Sequence, residues 1–374
     1  MKNIKKKIWA LMSAAVTTSA LVVSMTGSSI ENLIPRDPSG DGRILLNDAV
    51  CVQMFLGGSS LPSNLTPLDF DQNDIISMMD VMKIQAYLNN SLGEGDIPNS
   101  NTNDPVITPQ TNTLSYRRHK YGTGDVESYT SYNLTTSITD LNTMASPRTI
   151  IGDNDMVRDY NKAVVKLSIG GTGFIIGNHT VLTAAHCVYN RSTNSFIENL
   201  TMSITDDPGH VLATYSPEYV HIPTKHVQSD RGNDYALLYF EEDLSQYGYF
   251  DLGYAFDDYI FNDGSVVASG FPQVYPPGYE NAGYGIKFLS KGNLTGSNIY
   301  NEFIFDADVA GGDSGGPVYV EEGIGSGENY REYKSVIAIS VRESGENVIP
   351  AQNYAQIITP DIIYFANHNN YLTE

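Results

Sequence analysis

Cysteine is scarce in this sequence, since the 374 residues include only Cys51 and Cys187. The two fall in different predicted domains, so we expect no disulfide between them and infer that core size or bound metal stabilises the fold instead. Basic residues are also few: 22 Lys and Arg stand against 43 Asp and Glu, and the formal net charge is −21. So acidic a chain argues against nucleic acid and anionic membranes as partners, although the charge also suits cationic partners, bound metal ions or solubility alone.

Long apolar runs are equally rare, and the first of them lies near the N-terminus. Four lysines within the first seven residues precede an apolar stretch over residues 8–23, which two serines and two threonines interrupt. A positive segment before an apolar one is typical of a secretory signal peptide, whereas a transmembrane helix usually needs about 20 strongly apolar residues. We therefore predict a signal peptide over residues 1–30 and a secreted, extracellular protein that has no membrane partner once the signal is removed.

A short duplicated segment lies within residues 31–90. Its two copies begin at Asp37 and Asp69, and in each a loop rich in acidic and polar residues precedes an apolar stretch. In the second copy that stretch places Val81, Ile84 and Leu88 at helical spacing. The duplication therefore predicts two loop–helix units.

Both loops have oxygen-bearing side chains at alternate positions, which suits Ca²⁺ because this ion takes about six to eight oxygen ligands. Gly42 fits the sharp turn of the first loop, whereas the second loop has Asp74 there, which adopts a left-handed conformation at some cost. One such loop is often only a solvated loop, but two copies before apolar helices favour metal binding. The candidate ligands are Asp37, Ser39, Asp41, Asp48 and the carbonyl of Arg43 in the first loop, and Asp69, Asp71, Asn73, Asp80 and the carbonyl of Ile75 in the second.

The paired loop–helix units resemble a dockerin, the module that docks enzymes onto cohesin domains of cellulosome scaffolds. The resemblance covers residues 31–90, and the spacer between the loops is longer than is usual in that family. It implies a small α-helical module that folds with Ca²⁺ as its cofactor. It also implies a cohesin domain of a scaffold protein as a partner.

Two polar segments separate this module from the rest of the chain. Residues 91–113 are rich in Asn, Thr, Pro, Gly and Ser, which predicts a flexible linker. Residues 114–148 have no clear periodicity, and Arg148 precedes a Thr-Ile-Ile-Gly sequence that looks like a new N-terminus after a basic cleavage site. We interpret residues 114–148 as a candidate propeptide. Processing at Arg148 would release everything after it from the dockerin-like module, unless the site stays uncut, and the sequence leaves both open.

Residues 149–374 have a different sequence pattern, in which short apolar runs alternate with Gly, Asn, Asp and Pro. The abundance of Gly, Tyr, Thr and Val favours β-structure over helix. Many short strands are typical of a sandwich or barrel, and the length suits two small barrels packed together. The runs expected to form strands are residues 163–169, 173–176, 235–240, 265–268 and 335–341.

Three motifs in this region carry the residue types of nucleophilic catalysis. They are TAAHC at residues 183–187, NDYALL at residues 233–238 and GGDSGGP at residues 311–317. A serine hydroxyl becomes a good nucleophile when a base takes its proton, and a carboxylate must hold that imidazole base in the right tautomer. We therefore assign His186, Asp234 and Ser314 as candidate catalytic residues. The neighbouring glycines permit a tight turn that aims the N–H groups of Gly312 and Ser314 at a developing oxyanion.

The order and the residues of these motifs resemble those of the chymotrypsin-like serine peptidases, and more closely those of the secreted bacterial glutamyl endopeptidases. The match continues through IIGDNDMV at residues 150–157, GTGFIIG at residues 171–177, SGFP at residues 269–272 and DADVAGGDS at residues 306–314. The resemblance implies two packed six-stranded β-barrels, with the site in the cleft between them, in a trypsin-like serine peptidase domain over residues 149–374.

The residues that select the substrate side chain depart from that branch. Glutamyl endopeptidases place a histidine on the strand that lines the side-chain pocket, and the matching position here is Ser340, in AISVR at residues 338–342. Asp308 stands six residues before Ser314, where trypsin-like enzymes have the aspartate that selects Lys or Arg, although the glutamyl branch often has an aspartate there too. We take Ser340 and Asp308 as candidate substrate-binding residues and expect no strong preference for cleavage after acidic residues.

The sequence thus favours a secreted serine endopeptidase that acts on protein or peptide substrates and is docked to a cellulosome scaffold through its dockerin-like module. Catalysis itself needs no cofactor in this interpretation. The alternative is a non-catalytic pseudo-peptidase that serves as a cohesin-binding recognition protein. The intact set of His186, Asp234 and Ser314 favours the first.

Overall fold

The structure is a computed structural model, and it describes residues 38, 46–58, 65–90, 110–135, 156–206, 209–228, 231–256, 259–260, 263–275, 285–324, 331–343 and 352–370. The predicted signal peptide, most of the predicted linker and Arg148 lie outside these residues. The helices are α1 (Leu46–Leu56), α2 (Met78–Asn90), α3 (Thr224–Gln228) and α4 (Pro360–Asn370). The strands are β1 (Ile75–Ile76), β2 (Gln110–Lys120), β3 (Val126–Thr135), β4 (Val157–Arg158), β5 (Val164–Leu167), β6 (Thr172–Gly177), β7 (Thr180–Thr183), β8 (Tyr189–Asn190), β9 (Ser195–Phe196), β10 (Met202–Thr205), β11 (Val211–Tyr215), β12 (Tyr219–Pro223), β13 (Ala236–Tyr239), β14 (Asp251–Leu252), β15 (Tyr254–Ala255), β16 (Ser265–Gly270), β17 (Phe288–Asn298), β18 (Glu302–Phe305), β19 (Pro317–Ile324), β20 (Arg331–Glu343) and β21 (Asn353–Ile357).

The first large sheet is antiparallel and runs β11-β10-β5-β6-β7-β13-β12-β2-β3 in the described part of the chain. Its central strands are short apolar runs whose side chains are buried on both faces, as in β7 and β13. Such continuous burial requires cover on both sides of the sheet, because the strands have no polar face to present to water.

The second large sheet contains a closed ring. The order β20-β19-β16-β17-β18-β21 is completed by pairing of β21 back onto β20, which makes a six-stranded barrel, and β14 adds in parallel to β20. Closure leaves the six strands without a free edge. Every apolar run expected to form a strand contains one, so the mainly β prediction is confirmed and one barrel is present. The expected second six-stranded barrel stays a prediction, because the described pairings of the first sheet trace an open path.

The hairpin of β2 and β3 was not foreseen. It spans residues 110–135, so it begins inside the predicted linker and ends within the segment interpreted as a propeptide, residues 114–148. β2 pairs with β12 from Tyr116↔Pro223 to Lys120↔Tyr219, which extends the first sheet. Tyr116 is 1% exposed and stacks on Phe365 of α4 with ring centroids 4.4 Å apart. The hairpin is therefore an integral part of the sheet.

The helical module packs against the β domain. Strand β1 follows the second loop and pairs with β15, in the register Ile75↔Ala255 and Ile76↔Tyr254. One apolar cluster runs from α1 and α2 into the first sheet, and Phe55 of α1 meets the ring of Tyr254 edge to face at 6.4 Å. A helix thus follows the position of each predicted loop, while the dockerin-like nature of the module stays a prediction.

Two further predictions concern cysteine and the membrane. Both Cys51 and Cys187 are free thiols, and Cys187 is buried. Among the described residues, the structure has no helix that is both long and apolar enough to cross a membrane.

Candidate active site

The imidazole of His186 and the carboxylate of Asp234 are brought together by pairing of β7 with β13. His186 lies in a 3₁₀ turn, Ala185–Cys187, directly after β7, and Asp234 lies directly before β13. Because the strands are antiparallel and Thr183 pairs with Ala236, the end of one strand adjoins the start of the other. The buried runs TVLT and ALLY pair residue for residue at four positions, which holds this register.

The His186–Asp234 pair has the geometry of an oriented base. Asp234 Oδ2 lies 2.7 Å from His186 Nδ1, and Asp234 Oδ1 accepts the backbone N–H of His186 at 2.9 Å. Two contacts to one carboxylate fix both the position and the tautomer of the imidazole and leave Nε2 for the nucleophile.

The charges of this pair shift both pKa values. Partial desolvation lowers the pKa of His186, but the neighbouring carboxylate of Asp234 and then Cys187 outweigh it, so the pKa stands well above its ordinary value. Burial raises the pKa of Asp234, yet the charge and hydrogen bond of His186, with a smaller effect of His226, bring it below its ordinary value. Asp234 therefore remains ionised while His186 gains or loses its proton.

Ser314 sits on a glycine turn before β19, next to the turn that holds His186. The N–H of Thr172 donates to the Ser314 carbonyl at 2.8 Å, and the Cys187 thiol lies 3.5 Å from the same oxygen. Gly315 has φ +86°, and a Cβ there would come within 2.1 Å of Thr183 Oγ1. Only glycine fits this position, so the glycine-rich motif is a requirement of the close approach.

The turn before Ser314 is held from several sides. Gly312 has φ +105°, and its carbonyl accepts the Thr172 hydroxyl at 2.7 Å. Asp313 Oδ2 accepts the N–H of Ala310 at 2.8 Å, which ties the turn to itself. The predicted donors to an oxyanion, the N–H groups of Gly312 and Ser314, therefore belong to a fixed backbone, which is what electrostatic stabilisation of a transition state requires.

Ser340 lies beside this turn, and Asp308 lies in the chain segment that leads into it. The carbonyl of Ser340 accepts the N–H of Gly315 at 2.7 Å, and its own N–H donates to the Gly316 carbonyl at 2.9 Å. Ser340 is nearly buried, with 3% of the residue exposed. The N–H of Asp308 donates to Ser290 Oγ at 2.8 Å, and Asp308 lines a small cleft together with Met156, Leu289 and Asp313.

The second predicted loop has an acidic cluster. One oxygen from each of Asp69, Asp71 and Asp80 lies within 4.8 Å of the other two, and all three residues are buried. Asp80 accepts the N–H groups of Phe70 and Ser77, each at 2.8 Å. Burial, followed by the charge of Asp71, raises the pKa of Asp80 well above its ordinary value.

Of the other predicted ligands, the structure describes some and not others. In the second loop, Asn73 Oδ1 accepts the N–H of Ile75 at 2.9 Å and its Nδ2 donates to Glu322. In the first loop only Asp48 is described, and it is fully buried at the start of α1. Asp37, Ser39, Asp41 and Arg43 lie outside the described residues.

Sequence reasoning missed two residues next to Asp234. Gln356 Oε1, from β21, accepts the N–H of Asp234 at 3.3 Å, and His226 Nδ1, from α3, lies 3.8 Å from Asp234 Oδ1. Neither belongs to a motif, and no local pattern in the sequence points from either of them to Asp234. Only the fold brings them to the site.

Comparison with known proteins finds similarity in the part of the chain that contains these residues. The family model of the trypsin-like peptidase domain matches residues 171–324. The glutamyl endopeptidase of Bacillus licheniformis is 31% identical over 190 residues, which are 46% of this chain and 55% of the relative, so the chain spans about half the relative's length. A solved structure of a Glu endopeptidase in complex with MPD aligns with TM-score 0.48 at 15% identity, over 59% of this chain and 99% of that one. Residues 171–324, which include His186, Asp234 and Ser314, are thus similar to a trypsin-like peptidase domain.

Proposed function

We propose that this protein is a secreted serine endopeptidase with His186, Asp234 and Ser314 as its catalytic residues. The observation that carries the proposal is the 2.7 Å contact between His186 and Asp234 beside the glycine turn of Ser314, within residues similar to a trypsin-like peptidase domain. An endopeptidase of this type hydrolyses peptide bonds of proteins or peptides through an acyl-enzyme intermediate.

In the proposed reaction, Ser314 Oγ attacks the substrate carbonyl while His186 Nε2 takes the hydroxyl proton. The resulting imidazolium is stabilised by the ionised carboxylate of Asp234, which keeps its own charge throughout. The N–H groups of Gly312 and Ser314 receive the oxyanion. His186 then gives the proton to the leaving amine. Water next attacks the carbonyl of the acyl-enzyme while His186 takes its proton, and the acid product leaves as that proton passes to Ser314 Oγ. A raised pKa of His186 places the acid limb of activity at correspondingly high pH, because only the neutral imidazole acts as the base.

The first test is covalent labelling of the folded full chain with a fluorophosphonate probe. We expect the wild-type protein to be labelled and Ser314→Ala to show no labelling, because the probe reacts only with an activated serine hydroxyl. Absence of labelling in wild-type protein with a native unfolding transition would instead support the non-catalytic pseudo-peptidase.

The substrate preference is the second proposal. A hydroxyl at Ser340 offers no positive charge to a substrate carboxylate, and the carboxyl of Asp308 would repel one. We expect cleavage of a peptide library to show no dominant Glu or Asp before the cut bond. A dominant Glu at that position would contradict this assignment of Ser340, and Ser340→His in the same assay is the matched control, since it should increase cleavage after Glu.

The helical module completes the proposed function. Its second loop offers Asp69, Asp71 and Asp80 as a buried set of oxygen ligands, and these donors fit Ca²⁺ because that ion prefers carboxylates and carbonyls. When bound, the ion would neutralise the negative charges of the loop. The dockerin-like sequence further suggests a cohesin domain as partner and attachment to a cellulosome scaffold outside the cell.

A further inference from the structure

A second histidine lies next to the carboxylate that orients His186. His226, on α3, is completely buried, and its Nδ1 lies 3.8 Å from Asp234 Oδ1. Asp234 therefore has an imidazole on each oxygen, with His186 on Oδ2 and His226 on the side of Oδ1. The reaction described above uses only the first of them.

The surroundings of His226 are well defined. Tyr189, on β8, meets its ring edge to face at 6.3 Å, and the Tyr189 hydroxyl accepts Arg117 Nη1 of β2 at 2.9 Å. β12, which also packs on α3, contributes the buried His221, whose pKa burial and then Arg118 lower to about 3.

Further ionisable groups near α3 lie on β2, on α4 and on α3 itself, and Arg191 Nη2 donates to the carbonyl of Gln228 at the end of α3 at 3.1 Å. On α4, Asp361 has its pKa raised to about 7 by burial, with Lys225 of α3 acting in the opposite direction. On β2, burial lowers the pKa of His119. The carboxylate of Asp234 is in short-range contact with His226, whose Nδ1 approaches Asp234 Oδ1 to 3.8 Å.

We propose that His226 is a positioning residue for the catalytic carboxylate. Its imidazole holds the Oδ1 side of Asp234, so that Oδ2 faces His186 Nδ1. It also partly offsets the electrostatic effect of the carboxylate on His186. A separation of 3.8 Å exceeds hydrogen-bond length, so the effect is electrostatic, and burial of the site reduces its screening by water. This inference rests on the proposed function of Asp234.

The charge on Asp234 determines in which direction the pKa of His186 should shift when His226 is replaced. Without the second imidazole, the whole charge of the carboxylate acts on His186 and favours its protonated form. The pKa of His186 then rises further, and the base is available only at higher pH. A purely structural role of His226 would lower stability without moving this pKa.

The test compares His226→Phe, which keeps a buried ring and loses the ring nitrogens, with His226→Asn, which keeps a polar N–H near the position of Nδ1. Fluorophosphonate labelling rates of the full chain are measured against pH. We expect the acid limb of His226→Phe to move up by about one pH unit, so that labelling below the limb falls about tenfold, and that of His226→Asn to stay closer to wild type. His221→Phe, which replaces a buried histidine on β12, is the matched control and should leave the limb in place.

A titration of His186 by histidine-selective NMR gives the same answer without catalysis. The pKa of His186 should be higher in His226→Phe than in wild type, and equal values would overturn the proposal even if labelling succeeds. Wild-type protein that is not labelled would contradict the endopeptidase function, while a shifted His186 would still support the role of His226. Should His226→Phe not fold, His226→Leu also lacks the ring nitrogens and is interpreted in the same way.

Discussion

Addition of Ca²⁺ to the ion-depleted full chain is expected to raise its free energy of unfolding, by about 2.7 kcal/mol when free Ca²⁺ is 100 times its dissociation constant. The reason is the crowding of Asp69, Asp71 and Asp80, whose carboxyl oxygens lie within 4.8 Å of one another in a buried loop. Lys83 pairs with Asp71 and offsets part of the repulsion among these like charges, and a divalent cation would remove what remains.

The pH dependence of this effect has a definite sign. Because the folded pKa of Asp80 is raised, the ion-free chain loses stability as pH rises from the ordinary pKa of an aspartate through that raised value. Ca²⁺ binds the deprotonated form and offsets this loss. The gap between unfolding temperatures with and without Ca²⁺ should therefore widen as pH rises through this interval.

The measurement is thermal unfolding of the full chain across a Ca²⁺ titration, with Mg²⁺ as the ionic control. Asp80→Asn removes one candidate ligand oxygen, because its amide nitrogen is a donor, and we expect it to reduce the response of the unfolding temperature to Ca²⁺. Identical unfolding temperatures with and without Ca²⁺ in the wild type would contradict metal binding at this loop.

Glu322 extends the reach of the loop into the barrel. This β19 carboxylate accepts Asn73 Nδ2 at 3.0 Å and Ser77 Oγ at 2.8 Å, so a residue of the β domain closes one side of the loop. Burial, opposed by the Ser77 hydrogen bond, raises the pKa of Glu322. Glu322 therefore links the loop to the barrel, whose strand β19 follows the turn of Ser314.

The candidate catalytic residues could be located from the sequence because each lies in a local pattern with a physical cause. TVLT before His186 and ALLY after Asp234 are buried on both faces, so their apolar runs are visible without the fold. Gly315 has a steric requirement that no other residue meets, which makes the serine motif specific. Local packing and backbone geometry constrain neighbouring residues, and short motifs report those constraints.

The hairpin of β2 and β3 could not be predicted because its partners are remote. Among residues 115–120 of β2, whose burial is described, Tyr116 is the one buried side chain, and the sequence of this segment shows no apolar alternation. The ring of Tyr116 stacks on Phe365, and the strand's backbone hydrogen bonds on that side are made with β12. The contact of Asn73 with Glu322 joins residues 249 positions apart, and that of His226 with Asp234 depends on how α3 packs, so neither leaves a pattern in the sequence.

Cleavage of the full chain between residues 136 and 155 is expected to leave the two fragments bound to each other. The N-terminal fragment would keep five β2–β12 register pairs, and Tyr116 would remain buried on Phe365. Its module would keep the β1–β15 pairing, and Asn367 Nδ2 would still donate to the Leu56 carbonyl at 2.8 Å. Processing at Arg148 would then produce a two-chain protein that stays joined to its dockerin-like module, which favours retention over release.

The experiment places a recognition sequence for a specific protease in that interval of the Ser314→Ala protein, which cannot cut itself. After complete cleavage, we expect both fragments to co-elute at the volume of the intact chain in size-exclusion chromatography and to separate only in denaturant. Tyr116→Ala, which should cost about 3–5 kcal/mol, is expected to weaken the association, and Tyr116→Phe to preserve it because it keeps the ring stack on Phe365. Separate elution of the cleaved fragments of the otherwise unchanged chain in native buffer would show that the hairpin is held only by the covalent chain, and processing would then release the β domain from the module.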